Sequence, residues 1–168
     1  MPKIQTHLHF GVLYMNQFEI KDENAFLLGC AYPDSWHLDE LDARNKHYKK
    51  ESTSQCNLDL FLKDFNLNNE FNLGYYLHLW LDNEIKTVET DSISMYDCLL
   101  SDQDIIYPYI QSLHGDNEQE IQALENIQHA LNQPLPLYFV PKDKVHKYNK
   151  ILHLLLTRFI LHLKEIGV

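Results

Sequence analysis

The chain has few of the features that mark several common protein classes. Of its 168 residues, three are cysteine and five are glycine. Cys30, Cys56 and Cys98 are odd in number and lack CxxC spacing, which indicates neither a disulfide framework nor a thiolate zinc site. No stretch approaches the roughly 20 apolar residues of a membrane span. We therefore expect free thiols and no stable membrane insertion.

Positive charge is also scarce. The chain has 14 Lys and Arg residues against 24 Asp and Glu residues, for a formal net charge of −10. Binding to polymeric nucleic acid depends on clustered Lys and Arg, so we expect no such partner. The N-terminus MPKIQTHLHF lacks the long apolar core of a signal peptide. Together with the free thiols, this predicts a cytoplasmic location. The sequence gives no information on oligomeric state.

What is present indicates a folded, helical protein. The apolar content of 45% and aromatic content of 12% are sufficient for a sizeable core. Neither a repeat nor a flexible linker divides the chain, so we interpret residues 1–168 as one domain. Apolar residues recur at helical rather than alternating spacing. The sequence therefore predicts an all-α fold, a single-domain multi-helix bundle.

Capping residues and apolar spacing locate the helices. They predict helices over residues 22–29, 57–65, 117–131 and 143–166, and a further helix that begins at Asn68 or Asn69. In the first of these we expect Gly29 to end the helix, and Pro33 to hold Tyr32 in an extended conformation. Asp116 and Gln119 resemble a capping box. For residues 85–113 we expect short helices or irregular structure. We interpret residues 133–141 as a connection between helices that could cover a pocket.

The stretch GYYLHLWLDN, residues 74–83, holds two ionisable groups in an apolar helix. His78 and Asp82 are four residues apart and share one helix face, with Gly74 one turn earlier. Because a helix that is apolar on almost every face lies inside a protein, Asp82 needs a partner. Zinc accepts both His nitrogen and Asp oxygen. A hydrogen-bonded His–Asp core pair is the alternative interpretation.

Three other stretches supply candidate ligands. His7 and His9, in HLHFG, face the same side on a strand and diverge on a helix. Asp34 follows a helix on a proline-constrained turn, and His47 follows in NKHY, with His37 as its alternative. These nitrogen and oxygen donors suit one or two zinc ions.

The quoted motifs resemble those of the zinc-dependent phospholipase C family, which is itself similar to the P1-type nucleases. The resemblance rests on HxxFG at residues 7–11, FLLGCAYPDSW at 26–36, KHY at 46–48 and the segment from Phe71 to Asn83. It covers roughly the first half of the chain. It implies an all-α fold with a metal site between buried helices. By position, the metal ligands it assigns are His7, Asp34, His47, His78 and Asp82.

The resemblance also implies a reaction. Asp82 would bridge two zinc ions, and Asp34 would be both a ligand and the catalytic base for a zinc-activated water. The expected activity is hydrolysis of a small phosphoester, either a phosphodiester or a lipid head group. His114 and Glu118 have the family's HxxxE spacing, but they straddle Gly115 at a helix start, so we expect no third zinc there.

Other interpretations remain open at this stage. A protein with this fold could be a non-catalytic binding or regulatory module whose metal is structural or absent. An HD-type phosphohydrolase needs an adjacent His-Asp pair, which the chain lacks. Among the remaining histidines, we expect His162 to be a hydrogen-bonded core residue, and His129, His146 and His153 to bind no metal.

Overall fold

The all-α prediction is confirmed by a computed structural model that describes residues 3–88, 98–135 and 140–168. Within these ranges the chain forms eight helices and no strand, apart from an isolated bridge between Lys49 and Cys56. The helices are α1 (Ile4–Met15), α2 (Glu23–Ala31), α3 (Glu40–Lys46), α4 (Leu58–Asp64), α5 (Glu70–Val88), α6 (Leu99–Ile110), α7 (Glu118–Leu131) and α8 (Lys142–Glu165). None of them is long and apolar enough to cross a membrane.

Helices α1 and α5 form the centre of the fold. Both bury residues on nearly all faces, as expected for α5 from its continuous apolar sequence. Helix α5 packs against α2, α8, α1 and α4, while α1 also contacts α6, α7 and α8. The histidines and the aspartate of these two helices are therefore enclosed by other helices.

A pair of glycines allows α2 and α5 to approach unusually closely. A Cβ atom at Gly74 would overlap the carbonyl of Phe26, and one at Gly29 would overlap the carbonyl of Phe71. The backbones can meet because neither position carries a side chain. Gly29 therefore lies within α2 as a packing residue, and the prediction that it ends the helix is wrong.

Side chains cap several helices as the sequence predicts. Asp22, Asn57 and Asn69 accept hydrogen bonds from the backbone N–H groups three residues ahead, at 2.9, 3.1 and 3.0 Å. In α7 the cap is Asn117 instead of Asp116, since the Asn117 side chain accepts from the Glu120 N–H at 2.9 Å.

Two local predictions fail next to the site. Tyr32 precedes a proline but has right-handed helical angles, φ −61° and ψ −40°, because it caps α2 with its N–H bonded to the Gly29 carbonyl. The apolar spacing of α7 predicts a buried stripe of Ile121, Leu124, Ile127 and Leu131. Ile127 is buried, and Leu124 and Leu131 pack partly buried against the core, whereas Ile121 is 47% exposed. The predicted face is thus correct except at Ile121, and the buried Ala123 and Asn126 extend it.

The less regular regions agree in part with expectation. Residues 99–110 form one 12-residue helix with Pro108 in its last turn. Residues 89–97, which belong to the 85–113 region, lie outside the described residues. Residues 136–139 of the predicted 133–141 connection also lie outside them. The stripe predicted for α8 from its spacing is buried at Tyr148, Leu152, Leu155 and Phe159, whereas Val145 is half-buried and Ile166 is 36% exposed. Gly167 follows the helix with φ +85°.

Candidate metal centre

Four elements bring the five predicted ligands to one place. His7 lies on α1, Asp34 on the turn after α2, and His47 at the C-cap of α3. His78 and Asp82 both lie on α5. His7 and His78 are fully buried, and Asp82 is 1% exposed. Asp34 is the most accessible of the five, with 24% of its side chain exposed.

One group of donor atoms surrounds a point between α3, α5 and the Asp34 turn. The Nε2 atom of His47 lies 3.3 Å from that of His78 and 3.0 Å from Asp34 Oδ1. The Nε2 atom of His78 lies 3.5 Å from the same oxygen. Asp82 Oδ2 approaches from the α5 side, 3.5 Å from His78 and 3.7 Å from His47.

These separations match those around a small metal ion. Ligands about 2.0–2.2 Å from zinc, at tetrahedral angles, are about 3.3–3.6 Å from one another. Asp34, His47 and His78 form one buried group that could hold an ion, and His7, His78 and Asp82 form another. The two groups share His78.

Backbone contacts orient the two Nε2 atoms toward this point. His78 Nδ1 lies 2.7 Å from the Cys30 carbonyl, and His47 Nδ1 lies 2.8 Å from the Ala43 carbonyl. Because a carbonyl only accepts hydrogen bonds, each Nδ1 carries a hydrogen and donates it. In the neutral rings both Nε2 atoms then present lone pairs, so either a metal ion between them or a proton on one of the rings is needed to relieve their repulsion. Histidines that bind a metal through one ring nitrogen usually donate a hydrogen bond from the other one in this way.

His7 and Asp82 form the other side of the cluster. Their Nε2 and Oδ1 atoms are 3.2 Å apart, and the His7 ring stacks on His78 with centroids separated by 3.5 Å. Within the described chain, neither nitrogen of His7 and neither oxygen of Asp82 has a hydrogen-bond partner. Leaving four such atoms buried is costly, because each forfeits its hydration.

The electrostatics of the cluster agree with this arrangement. Burial and the neighbouring His78 lower the pKa of His7, which favours the neutral form that binds metal. Burial also disfavours the charged form of His78, but the carboxylates of Asp34 and Asp82 outweigh it and raise its pKa. Burial opposes ionisation of Asp34 and Asp82 as well, yet His78 and its neighbours hold both carboxyl pKa values below normal.

A cavity of about 750 Å³ opens onto one side of the cluster. Asp34 and His47 lie in its wall, and the other three candidate ligands do not. Trp36, 58% exposed, stacks on His129 with centroids 4.4 Å apart, and both line the cavity. Residues 133–135 of the proline-bracketed connection also contribute to the wall.

The alternative histidines lie elsewhere. His9 points away from the cluster and binds Asp102, with His9 Nδ1 2.8 Å from Asp102 Oδ1. His162 Nε2 lies 2.6 Å from the Tyr76 hydroxyl, so it has the expected hydrogen bond, but the side chain is half-buried and not in the core. The remaining residues considered as ligands are exposed or lie outside both groups: His37, His114, Glu118, His129, His146 and His153.

Two polar residues near the cluster were not predicted from the sequence. Asp102 on α6 accepts hydrogen bonds from Thr6, His9 and Tyr148, and it is completely buried. Asn126 on α7 is 1% exposed and binds the turn that carries Asp34. The sequence gives no clear periodicity around Asp102, and the predicted stripe of α7 contained only apolar residues, although Asn126 directly precedes one of them, the buried Ile127.

Comparison with known proteins gives no further assignment. No protein-family model matches the chain, and neither a curated protein nor a solved structure matches it. The ligand assignments and the resemblance to zinc-dependent phospholipases C therefore stay predictions. The buried His and Asp groups are nevertheless able to hold a metal ion between helices.

Proposed function

We propose that this protein is a zinc-dependent hydrolase of small phosphoesters, either phosphodiesters or phospholipid head groups. The observation that carries the proposal is the set of buried His7 and Asp82 atoms that have no hydrogen-bond partner in the described chain. Divalent cations would compensate three of these atoms, His7 Nε2 and both Asp82 oxygens, but not His7 Nδ1, because only one nitrogen of a neutral imidazole carries a lone pair. The donors are nitrogen and carboxylate oxygen, which suits zinc.

The residues divide between two positions. Asp34 Oδ1, His47 Nε2, His78 Nε2 and Asp82 Oδ2 would hold one ion, and His7 Nε2 with Asp82 Oδ1 would contribute to a second. His78 serves only one ion, because its Nδ1 is bound to the Cys30 carbonyl. Asp82 would bridge the two positions. When bound, zinc is a Lewis acid that lowers the pKa of water toward about 7 and offsets phosphate charge.

The cavity supports catalysis at this site. Asp34 is both a candidate ligand and part of the cavity wall, so its carboxylate is available to orient the attacking water and accept its proton. Substrate would enter from the side of Asp34 and His47, because His7 and His78 are fully buried. The net charge of −10 favours small or neutral head-group substrates over polyanions.

The test begins with metal content. Protein purified without chelator or affinity metal should contain about two equivalents of zinc if both positions are filled. His78→Ala should lose most of the zinc. The control variant His162→Ala should keep it, because His162 lies near the end of α8, is hydrogen-bonded to Tyr76 and belongs to neither group of candidate ligands. Retention of zinc in His78→Ala, or its absence from the wild type, would reject the proposal. A screen with chromogenic phosphodiesters follows.

A non-catalytic module with a structural metal is the second candidate. One observation favours it: four side chains converge on the first position, and closed four-ligand coordination is typical of structural zinc. The two candidate functions predict different behaviour of the Asp34→Asn variant. A catalytic site should lose hydrolysis while keeping measurable zinc. Zinc-loaded wild type that hydrolyses no phosphoester in the screen would favour the structural function.

A further inference from the structure

Asp34 is held differently from the other candidate ligands. The other four lie on helices or, for His47, on a helix cap. Asp34 lies in the irregular turn between α2 and α3, where its own N–H makes a long 3.4 Å hydrogen bond to the Ala31 carbonyl. A ligand must be held to within about 0.5 Å of its productive position. The turn therefore needs support from outside its own backbone.

Asn126 supplies contacts to both sides of Asp34. Its Nδ2 atom lies 3.2 Å from the carbonyls of Ala31 and Tyr32 and 3.4 Å from the hydroxyl of Ser35. Because carbonyls only accept, the amide nitrogen must face the turn, and this fixes the orientation of the side chain. The residues before and after Asp34 are thus attached to one rigid helix, α7.

The other end of the Asn126 amide shows that these contacts have a cost. Its Oδ1 atom is buried and has no hydrogen-bond partner in the described chain. An unpaired buried acceptor destabilises the folded state, and an apolar side chain of similar size would avoid that loss. The reason for an amide at this position is therefore its N–H groups, which donate hydrogen bonds to the turn and which an apolar residue lacks.

Lys46 of α3 makes a second contact to the same turn. Lys46 Nζ donates to the Ser35 hydroxyl at 2.7 Å and to Gln122 on α7 at 3.3 Å. The same Nζ lies 3.9 Å from the centre of the Tyr32 ring. Ser35 is consequently bound by Lys46 of α3 and by Asn126 of α7. The turn is held between two helices, with Asp34 directed at the cluster.

We propose that Asn126 is a positioning residue that acts through Asp34, holding its carboxylate in the metal site and beside the cavity. This inference rests on the proposed metal function. Asn126 contacts neither His47 nor His78, and its effect on the metal passes through the 31–35 turn. Loss of its amide should therefore weaken zinc binding only while Asp34 is able to bind the ion.

The test is a double-mutant cycle on zinc affinity, measured by competition with a chromophoric chelator. Asn126→Leu should weaken zinc binding by about 10-fold to 100-fold, the usual effect of losing a group that orients a ligand. The same change in an Asp34→Asn background should have little further effect, because the route to the metal is already broken. Asn149→Leu is the matched control, since Asn149 also has a buried, unpaired Oδ1 but lies on α8.

Circular dichroism of the metal-free variants separates positioning from general stability. If Asn126→Leu does not fold, Asn126→Ala takes its place in the same cycle. Equal loss of affinity in both backgrounds, or none in either, would overturn the inference while leaving the metal function in place. A wild type that binds no zinc would overturn both proposals.

Discussion

At the scale of single residues, His7 and His9 show how two similar side chains receive different environments. They are two residues apart on α1 and therefore point in different directions. His7 joins His78 and Asp82, whereas His9 joins Asp102, Thr6 and Tyr148. Because Asp102 binds both Thr6 and His9, it fixes the rotation of α1 and thereby directs His7 at the cluster.

This difference gives a matched prediction. His7→Ala should reduce zinc content by about one equivalent, because it removes one of the two side chains at the second position. His9→Ala should keep its zinc but lower the free energy of unfolding by about 1–3 kcal/mol, since the buried Asp102 loses a hydrogen-bond partner. Elemental mass spectrometry and chemical denaturation measure the two effects. Unchanged zinc in His7→Ala would contradict the ligand role of His7.

The sequence could predict these candidates but not choose between them. HLHFG contains His7 and His9, and their relative directions depend on whether the segment is a strand or a helix. Its helix is buried on nearly all faces, so no polar face distinguishes core from surface. The partner of His9, Asp102, is 93 residues away along the chain. Only the packed structure brings that residue to α1.

At the scale of helices, the glycine contact between α2 and α5 connects packing with chemistry. Gly29 and Gly74 allow the two backbones to approach, and the Cys30 carbonyl then lies 2.7 Å from His78 Nδ1. That hydrogen bond leaves His78 Nε2 as the acceptor that faces the cluster. A glycine one turn before His78 indicates from sequence alone that another segment can approach closely there, whereas the reciprocal contact at Gly29 depends on how α2 packs.

Gly74→Ala should separate these helices. The added methyl group would overlap the Phe26 carbonyl and approach Cys30 N to 2.9 Å, and backbone atoms cannot rotate away as side chains can. We expect a loss of about 3 kcal/mol of unfolding free energy or more, together with weaker zinc binding. Gly11→Ala is the control, because its nearest obstacle is the Cys30 side chain at 3.0 Å. Equal losses in the two variants would contradict the proposed role of the close contact.

The turn after α2 and the buried face of α7 show where prediction from sequence ended. The proline rule expected an extended Tyr32, but the helix continues to that residue and ends there. The apolar stripe of α7 holds at Ile127 but fails at Ile121, which is exposed, and packing against the Asp34 turn also buries Asn126. A periodic pattern identifies the helix and most of its buried face, but it does not show that a polar residue beside the stripe is buried because it binds another segment.

At the scale of the whole molecule, the buried His and Asp cluster couples stability to pH. In the metal-free protein the carboxylates of Asp34 and Asp82 raise the pKa of His78 above its usual value of about 6.5. A raised histidine pKa stabilises the fold fully below that usual value, and this stabilisation is lost as pH rises through the folded-state pKa. Zinc needs the neutral ring, so the ion must displace the proton that His78 holds.

The thermal stabilisation by zinc should therefore increase with pH. From about pH 6 up to the folded-state pKa of His78, the apparent zinc affinity should rise by up to about tenfold per pH unit, because one proton is displaced. At a free zinc concentration of 100 times Kd, the gain in unfolding free energy is about 2.7 kcal/mol. Differential scanning fluorimetry with zinc and with chelator, at several pH values, gives the difference in Tm.

The depressed pKa values of Asp34 and Asp82 keep both carboxylates ionised throughout this range, so they do not contribute to the trend. A zinc-dependent difference in Tm that is constant or falls with pH would contradict His78 as the residue that exchanges its proton for the metal.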